Sequence, residues 1–160
     1  MKMNNEQLTI NNELCKIDFI EQRIISAVRG LITGRVNEIL NNWNFLIPLF
    51  EFSDYKGSTA ITPVITLSSC EQTEKERIIR LDTYSMTITI STPENPESEL
   101  YLYGYSHALS KALKEDVTLG GVVERALITN KKYIPPKKPN CGMEWELVIS
   151  LRITVEEMKL

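Results

Sequence analysis

The chain has 160 residues, close to the commonest size of a single domain, which buries roughly 70% of the surface that its unfolded chain exposes. Its 42% hydrophobic and 24% charged residues are ordinary for a soluble globular protein. The net charge of -3 and the scattered basic residues argue against a dedicated nucleic-acid-binding protein. Cys15, Cys70 and Cys141 form no CxxC pair, and no apolar run approaches the roughly 18 residues of a membrane span, so we expect no disulfide framework, metal, cofactor or membrane segment.

Residues 1–16 are polar and asparagine-rich, and we interpret them as an extension that precedes one domain over residues 17–157. Apolar residues at spacings of three and four then predict a helix. The stripe comprises Ile17, Ile20, Ile24, Val28 and Leu31, and it continues through Val36, Ile39, Leu40 and Trp43. Gly30 and Gly34 each weaken a helix interior by roughly 1 kcal/mol relative to alanine, so we expect one long or gently broken helix. The two glycines mark either a kink or a point of close packing.

Two short apolar runs follow, and each contains a proline. Residues 46–52 carry Pro48 and residues 61–67 carry Pro63, which predicts an edge strand or an extended arm for each run. From Arg80 the chain alternates with period two. Its apolar set is Tyr84, Met86, Ile88 and Ile90, and its polar set is Thr83, Ser85, Thr87 and Thr89. This pattern predicts a strand with one covered face and one polar, β-branched face.

The second half of the chain predicts one helix and two strands. Residues 101–114 place Leu102, Tyr105, Ala108, Leu109, Ala112 and Leu113 on one helical face. Gly120 and Gly121 predict a tight turn that needs positive φ, before a strand over residues 122–133. Alternation from Trp145 to Val155 predicts the last strand. The expected fold is therefore α+β, a mixed or antiparallel sheet of about four strands covered by two helices, in the order α-β-β-α-β-β.

Residues that could carry chemistry are few. His107 stands between Ser106 and Ser110, but the sequence has no Gly-x-Ser-x-Gly elbow and no evident third partner, so a surface or packing role is favoured over catalysis. The carboxylates lie at the ends of predicted elements, where capping and solubility explain them. Leu119-Gly120-Gly121-Val122 lacks the form of a phosphate-binding loop. We therefore expect a protein that is not an enzyme.

One stretch of the chain resembles a known family. It contains Tyr101, Tyr105, Ala108, Leu109 and Leu113 on a helix, then Asp116-Val117-Thr118-Leu119-Gly120-Gly121-Val122-Val123, then Ala126-Leu127-Ile128-Thr129, then a long alternating strand. Together with the first helix and the strands around Pro63-Val64-Ile65 and residues 84–90, this pattern is similar to the tail-terminator, or tail-completion, proteins of long-tailed bacteriophages. The likeness spans about 140 of the 160 residues.

The resemblance implies a structural virion protein of a phage or prophage, with an α/β fold, synthesised in the host cytoplasm and located in the tail or neck. Such proteins form a ring, typically a hexamer, that caps the tail tube, ends its growth and offers a surface for head-tail joining. The implied partners are further copies of the chain, the tail tube protein and the head-tail connector protein, and DNA passes through without specific binding.

Several residues are candidates for the contacts of such a ring. Residues 44–67 and 134–140 are extended, bear prolines and are hard to bury in one small domain, so we expect them to touch neighbouring subunits or the tube. The lysine pairs that flank Pro135-Pro136 predict a basic loop, which contacts an acidic neighbour or a phosphate backbone, or is an ordinary solvated loop. The interface candidates are Pro48, Pro63, Tyr101, Tyr103, Gly120, Gly121, Lys132, Pro135, Pro136, Lys137 and Lys138. The alternative is a small monomeric or dimeric adaptor of another phage neck or contractile-system component.

Overall fold

A computed structural model of the chain describes residues 18–43, 46–52, 60–92, 96–137 and 145–158. The helices are α1 (Ile20–Leu31), α2 (Asn37–Asn41) and α3 (Ser98–Glu115), and a π-helical turn (Ile32–Val36) joins α1 to α2 without a break. The strands are β1 (Val64–Glu76), β2 (Ile79–Thr92), β3 (Arg125–Ile134) and β4 (Trp145–Met158). Since α1 to α2 is one helical segment, the predicted order α-β-β-α-β-β is confirmed. The proposed extension, residues 1–16, lies outside the described residues.

The four strands form one antiparallel sheet in the order β1-β2-β4-β3, so β1 and β3 are its two edges. The helices cover one face, and there alternate residues of the two central strands are buried, as their period-two pattern predicts. The buried set is Tyr84, Met86, Ile88 and Ile90 of β2 with Leu147, Ile149, Leu151, Ile153 and Val155 of β4. The predicted inward face of α3 is confirmed, because all six of its residues are buried.

The π-helical turn in the first helical segment has a geometric cause. Ile24, Val28, Ile32, Val36 and Leu40 are all buried, and each is four residues from the next. In a helix of 3.6 residues per turn every such step rotates the stripe by about 40°, so four steps would turn Leu40 far from the core. The extra residue of one π-helical turn reverses most of that drift. The prediction of one long or gently broken helix is therefore confirmed, with a π-helical turn as its irregularity. The close-packing alternative is wrong, since a Cβ added at Gly30 or Gly34 would meet nothing within 4 Å.

The segment before β1 packs on its own domain. Ile47, Phe50, Ile61 and Pro63 are buried, and Phe50 forms an isolated parallel bridge with Ile61. The premise that residues 44–67 are hard to bury in one small domain is thus wrong for these four residues, while the contact of this segment with a neighbouring subunit or the tube stays a prediction. Residues 44, 45 and 53–59 lie outside the described residues.

Two side chains from helices explain why this proline-bearing segment folds back. Asn37 donates to the carbonyl oxygen of Phe50 and accepts from its N–H, both at 2.8 Å, and so replaces a strand partner. The Tyr105 hydroxyl donates to the carbonyl oxygen of Pro48 at 2.6 Å. A Cβ at Gly104 would stand 2.9 Å from the Trp43 ring and 3.0 Å from Ile47, so the glycine permits this close approach to α3. Pro48 and Pro63 therefore belong to the fold of one subunit.

Two strand boundaries differ from the predicted ones. β1 begins at Val64 and continues to Glu76, so the strand extends well beyond the apolar run that ends at Leu67. β3 begins at Arg125, three residues after the predicted start, because residues 117–122 belong to a turn.

Candidate assembly surfaces

The second face of the sheet is not covered by any helix that the structure describes. Hydroxyl-bearing residues dominate it, among them Thr83, Ser85, Thr87 and Thr89 of β2 and Ser150 and Thr154 of β4, all partly or fully exposed. A shallow groove of about 470 Å³ crosses this face. Arg152 and Glu71 are the charged residues in its lining. We call this surface the open face.

A β-bulge interrupts each edge strand at the same level of the sheet. Ser68 is the extra residue of β1, opposite Met86 and Ser85, and Thr129 is the extra residue of β3, opposite Leu151 and Ser150. Met86 in turn pairs with Leu151. Both extra hydroxyls donate to a carbonyl of the adjacent central strand, Ser68 to Ser85 at 3.0 Å and Thr129 to Ser150 at 3.2 Å. These two bulges separate a lower from an upper half of each edge and border the groove of the open face, and a second bulge interrupts β1 at Lys75.

The β1–β2 hairpin projects beyond the helical layer. Residues 71–78 are all exposed, and Ile78 at the tip is 54% exposed. Ion pairs brace the base of the hairpin: Lys75 contacts Glu156, and Arg80 contacts both Glu157 and the buried Asp82, the last at 2.9 Å. Hydrogen bonds and charge attraction from these carboxylates raise the pKa of Lys75 and of Arg80. The sequence did not predict this projection as a structural element.

An aromatic patch lies between the start of α3 and the end of β3. The Tyr103 and Tyr133 rings meet edge to face at 5.6 Å, and they are 49% and 38% exposed. Tyr103 donates to Glu99 at 2.6 Å, and Tyr133 donates to Ser106 Oγ at 2.8 Å. Of the predicted interface residues, Tyr103 therefore lies on an accessible surface.

Lys131 of β3 forms hydrogen bonds to α3. Its Nζ donates to Ser110 Oγ at 2.5 Å and to the carbonyl oxygen of Ser106 at 3.4 Å. Burial, and then the nearby charge of Lys114, lower the pKa of Lys131. The His107 ring lies 6.1 Å from the Trp43 ring, while the hydroxyls of Ser106 and Ser110 interact with Tyr133 and Lys131. These contacts give the two serines structural partners.

A mostly apolar groove of about 310 Å³ runs beside the first half of β3. It is lined by Leu113, Lys114 and Val117 from the end of α3 and the turn after it, and by Ala126, Leu127 and Ile128 from β3, with Ser110 above them. The N–H of Ala126 donates to the carbonyl oxygen of Val117 at 2.7 Å. The turn therefore covers this half of the β3 edge.

The turn after α3 has the backbone that its glycines predict. Gly120 and Gly121 have φ of +68° and +87°, which confirms the predicted positive-φ turn, and Leu119 joins them at +51°. The Asp116 carboxylate accepts from the Gly120 N–H at 3.0 and 2.9 Å. Leu119 is buried, which holds a non-glycine residue in the left-handed region. Gly120 and Gly121 thus shape the turn that covers β3.

The predicted interface residues do not form one patch. Pro48 and Pro63 pack within the subunit, and Tyr101 is half-buried with its hydroxyl 2.9 Å from Glu97. Lys132, Pro135 and Lys137 are exposed and Pro136 is half-buried near Tyr133, at the far end of β3 from the glycine turn. Lys138 lies outside the described residues. The edge bulges were not predicted, although the Ser/Thr alternation of β2 had indicated the open face.

Comparison of the sequence with protein-family models and with curated proteins finds no match. Among the described helices, none is both long enough and apolar enough to cross a membrane. The described residues also contain no cluster of three or more His, Cys, Asp or Glu side chains arranged to hold a metal ion.

Proposed function

We propose that the protein is a structural component of a phage or prophage tail, which forms a homo-oligomeric ring that caps the tail tube, ends its growth and presents the head-tail joining surface. Further copies of the chain, the tail tube protein and the connector protein are its partners, and DNA passes through the ring without specific binding. The protein acts by assembly and not by catalysis.

The observation that carries this proposal is the half-covered sheet with two unlike edges. A cyclic ring needs two different surfaces on each subunit, placed so that one meets the other on the next copy. β1 and β3 lie on opposite sides of the sheet and differ in cover, charge and apolar character. The α+β order and the long alternating β4 also agree with the resemblance to tail terminators, which is the reason for choosing a tail ring over other rings.

The test is a mass determination of the purified protein by light scattering over a concentration series, with negative-stain microscopy of the same samples. We expect a ring of about six subunits with a central hole, and the same particles at the ends of purified tail tubes after mixing. A monomer at every concentration that also leaves tube ends bare would contradict the proposal.

A second candidate is the small adaptor, and one observation favours it. Leu46 is 93% exposed and precedes the Ile47 that packs on Gly104, and Leu100 is 53% exposed in the first turn of α3. Such a surface suits a single partner of a different kind. The adaptor predicts a stoichiometric complex with that partner and no ring, so the light-scattering measurement separates the two candidates.

A further inference from the structure

The ladder of the sheet connects its two edges by rows of paired residues. One row on the open face runs Glu71, Thr83, Thr154 and Arg125. It therefore has a carboxylate at the β1 end and a guanidinium at the β3 end. Within the described residues no opposite charge lies within 4 Å of either end group.

The same polarity holds as a net charge around the two ends of this row. On the β1 side the exposed hairpin carries Glu71, Glu74 and Glu76 against Arg77 and Lys75, and Lys75 is bound to Glu156. On the β3 side Lys111, Lys114 and Arg125 are exposed, with Glu115 bound by Arg35 and the exposed Glu124 next to Arg125. The β1 side is thus net acidic and the β3 side net basic at the same end of the sheet.

Below the bulges the two edges offer unpaired main chain. The Ala126 N–H is bonded to Val117. Apart from this bond, the described residues make no backbone hydrogen bond to the outer side of β1 or β3. Val64 on β1 is 60% exposed, and Lys132 and Tyr133 on β3 are exposed. An exposed edge of this kind is a template for another strand.

Strand direction makes the two edges compatible. β1 runs parallel to β4, and β3 runs opposite to both, because every neighbouring pair in the sheet is antiparallel. Turning a copy about an axis along the strands preserves these directions, so β1 of one copy meets β3 of the next in the antiparallel sense. Antiparallel pairing is the form that adjacent strands adopt without a crossover.

We propose that the ring contact is strand addition between copies of this chain: the first half of β1 pairs antiparallel with the second half of β3 of the next copy, while Glu71 and its acidic neighbours face Arg125 and the lysines of that copy. This inference rests on the proposed ring and identifies the surfaces that close it. In the rows of the sheet, residues 64–66 end opposite residues 132–130, and the bulges limit the main-chain pairing to these residues. The turn at Val117 keeps the upper halves from pairing by main chain.

The charge arrangement also sets the direction of assembly. Two β1 edges that paired antiparallel through residues 64–67 would leave Glu71 without an opposite charge, and two β3 edges that paired through residues 130–132 would bring Lys132 toward its own copy. Like charges across an interface suppress that partner. The head-to-tail arrangement is the one that joins unlike ends, and such contacts close as a ring.

A charge exchange tests the upper half of this contact. Glu71→Lys and Arg125→Glu each reverse one end of the row, and we expect each to raise the concentration for half-assembly by about tenfold. The double variant restores opposite charges and should return to within about twofold of the wild type. Glu51→Lys reverses an exposed carboxylate that lies outside this row and outside both edge strands, and as the control it should assemble normally.

Cysteine crosslinking tests the lower half. Val64 and Lys132 end one row of the open face, so they become cross-strand neighbours between copies. In a chain with Cys15, Cys70 and Cys141 replaced by serine, we combine Val64→Cys with Lys132→Cys. Oxidation should then give a series of disulfide-linked multimers larger than dimers on a non-reducing gel. Either cysteine alone should give no such series. Asn130→Cys in place of Lys132→Cys detects a pairing of β1 with β3 that is shifted by two residues.

The outcomes separate this inference from the proposed function. The strand-addition contact would be overturned if rings form and cap tubes, but neither cysteine pair gives crosslinked multimers and the charge reversals do not change assembly. That outcome would leave the proposed tail function standing. Absence of rings and of tube capping in the wild type would overturn both. Crosslinked multimers together with rescue by the charge exchange support the contact.

Discussion

At the scale of single residues, the turn after α3 requires a particular residue type at three positions. Gly120 and Gly121 have positive φ, and Asp116 accepts the Gly120 N–H. A side chain in the left-handed region costs about 1 to 2 kcal/mol for ordinary residues. This turn supplies Val117, which caps β3, so its backbone also determines how much of that edge stays free.

Gly120→Ala should lower the free energy of unfolding by about 1 kcal/mol, because alanine is strained at a φ of +68°. Gly30→Ala is the matched control. Gly30 is exposed inside α1 with no atom within 4 Å of an added Cβ, so the same change should stabilise the protein by up to about 1 kcal/mol. Urea unfolding of both variants checks the pair, and equal effects of the same sign would contradict the assignment.

At the scale of elements, an ion pair fastens the first helical segment to the end of α3. The Arg35 guanidinium donates to both Glu115 oxygens, at 2.7 and 3.1 Å, and to Glu38 at 2.9 Å. The hydrogen bonds from Arg35 lower the pKa of the Glu115 carboxyl, and the same bonds raise the pKa of Arg35. The π-helical turn carries Arg35, so this pair also fixes that turn against the end of α3.

Glu115→Gln should lower the melting temperature slightly at pH 7, by the small amount expected of an exposed ion pair. A carboxyl whose folded pKa lies below its unfolded value of about 4.3 stabilises the fold above that value, and this stabilisation is lost as the pH falls through the folded pKa. The difference between variant and wild type should therefore be present at pH 7 and vanish at low pH. Thermal unfolding across that range measures it, with Glu51→Gln as control. A difference that grows in acid would contradict this account.

Local patterns predicted the elements themselves well. The strand faces of β2 and β4 and the buried face of α3 were predicted correctly. These faces follow from local hydrophobic periodicity, which does not depend on contacts distant in sequence. The run 61–67 does lead into an edge strand, as predicted. The burial of the segment before β1 was not predicted, because Asn37 and Tyr105, far away in sequence, satisfy its backbone. The bulges at Ser68 and Thr129 could not be predicted, because one extra hydroxyl-bearing residue does not stand out among the serines and threonines of these strands. The steady spacing of four from Ile24 to Leu40 was the one signal that could have indicated the π-helical turn.

At the scale of the whole molecule, the distribution of charge matters more than its net value. The net charge of -3 describes a mildly acidic protein, yet the acidic residues of the projecting hairpin and the basic residues around α3 and β3 lie on opposite sides of the sheet. Coulomb attraction between such sides is screened over about 10 Å at 0.1 M salt and about 3 Å at 1 M.

Ring formation should therefore weaken as sodium chloride rises from about 0.1 M to about 1 M, since the screening length falls below the separation of exposed side chains. Light scattering at fixed protein concentration follows the loss of mass. The double charge exchange of Glu71 and Arg125 should keep this salt dependence, because it preserves opposite charges. Assembly that strengthens with salt would point instead to a contact held by apolar surface.

The paired bulges also affect the free chain before it finds a partner. Long, flat strand edges invite indiscriminate stacking into aggregates. Here the longest uninterrupted stretch of ladder on β1 is residues 69–74, and on β3 it is residues 130–134. Each extra hydroxyl is already bonded inward, to Ser85 or Ser150. A newly made subunit thus carries edges divided into short stretches of ladder, which disfavours extended stacking with wrong partners before the next copy is met.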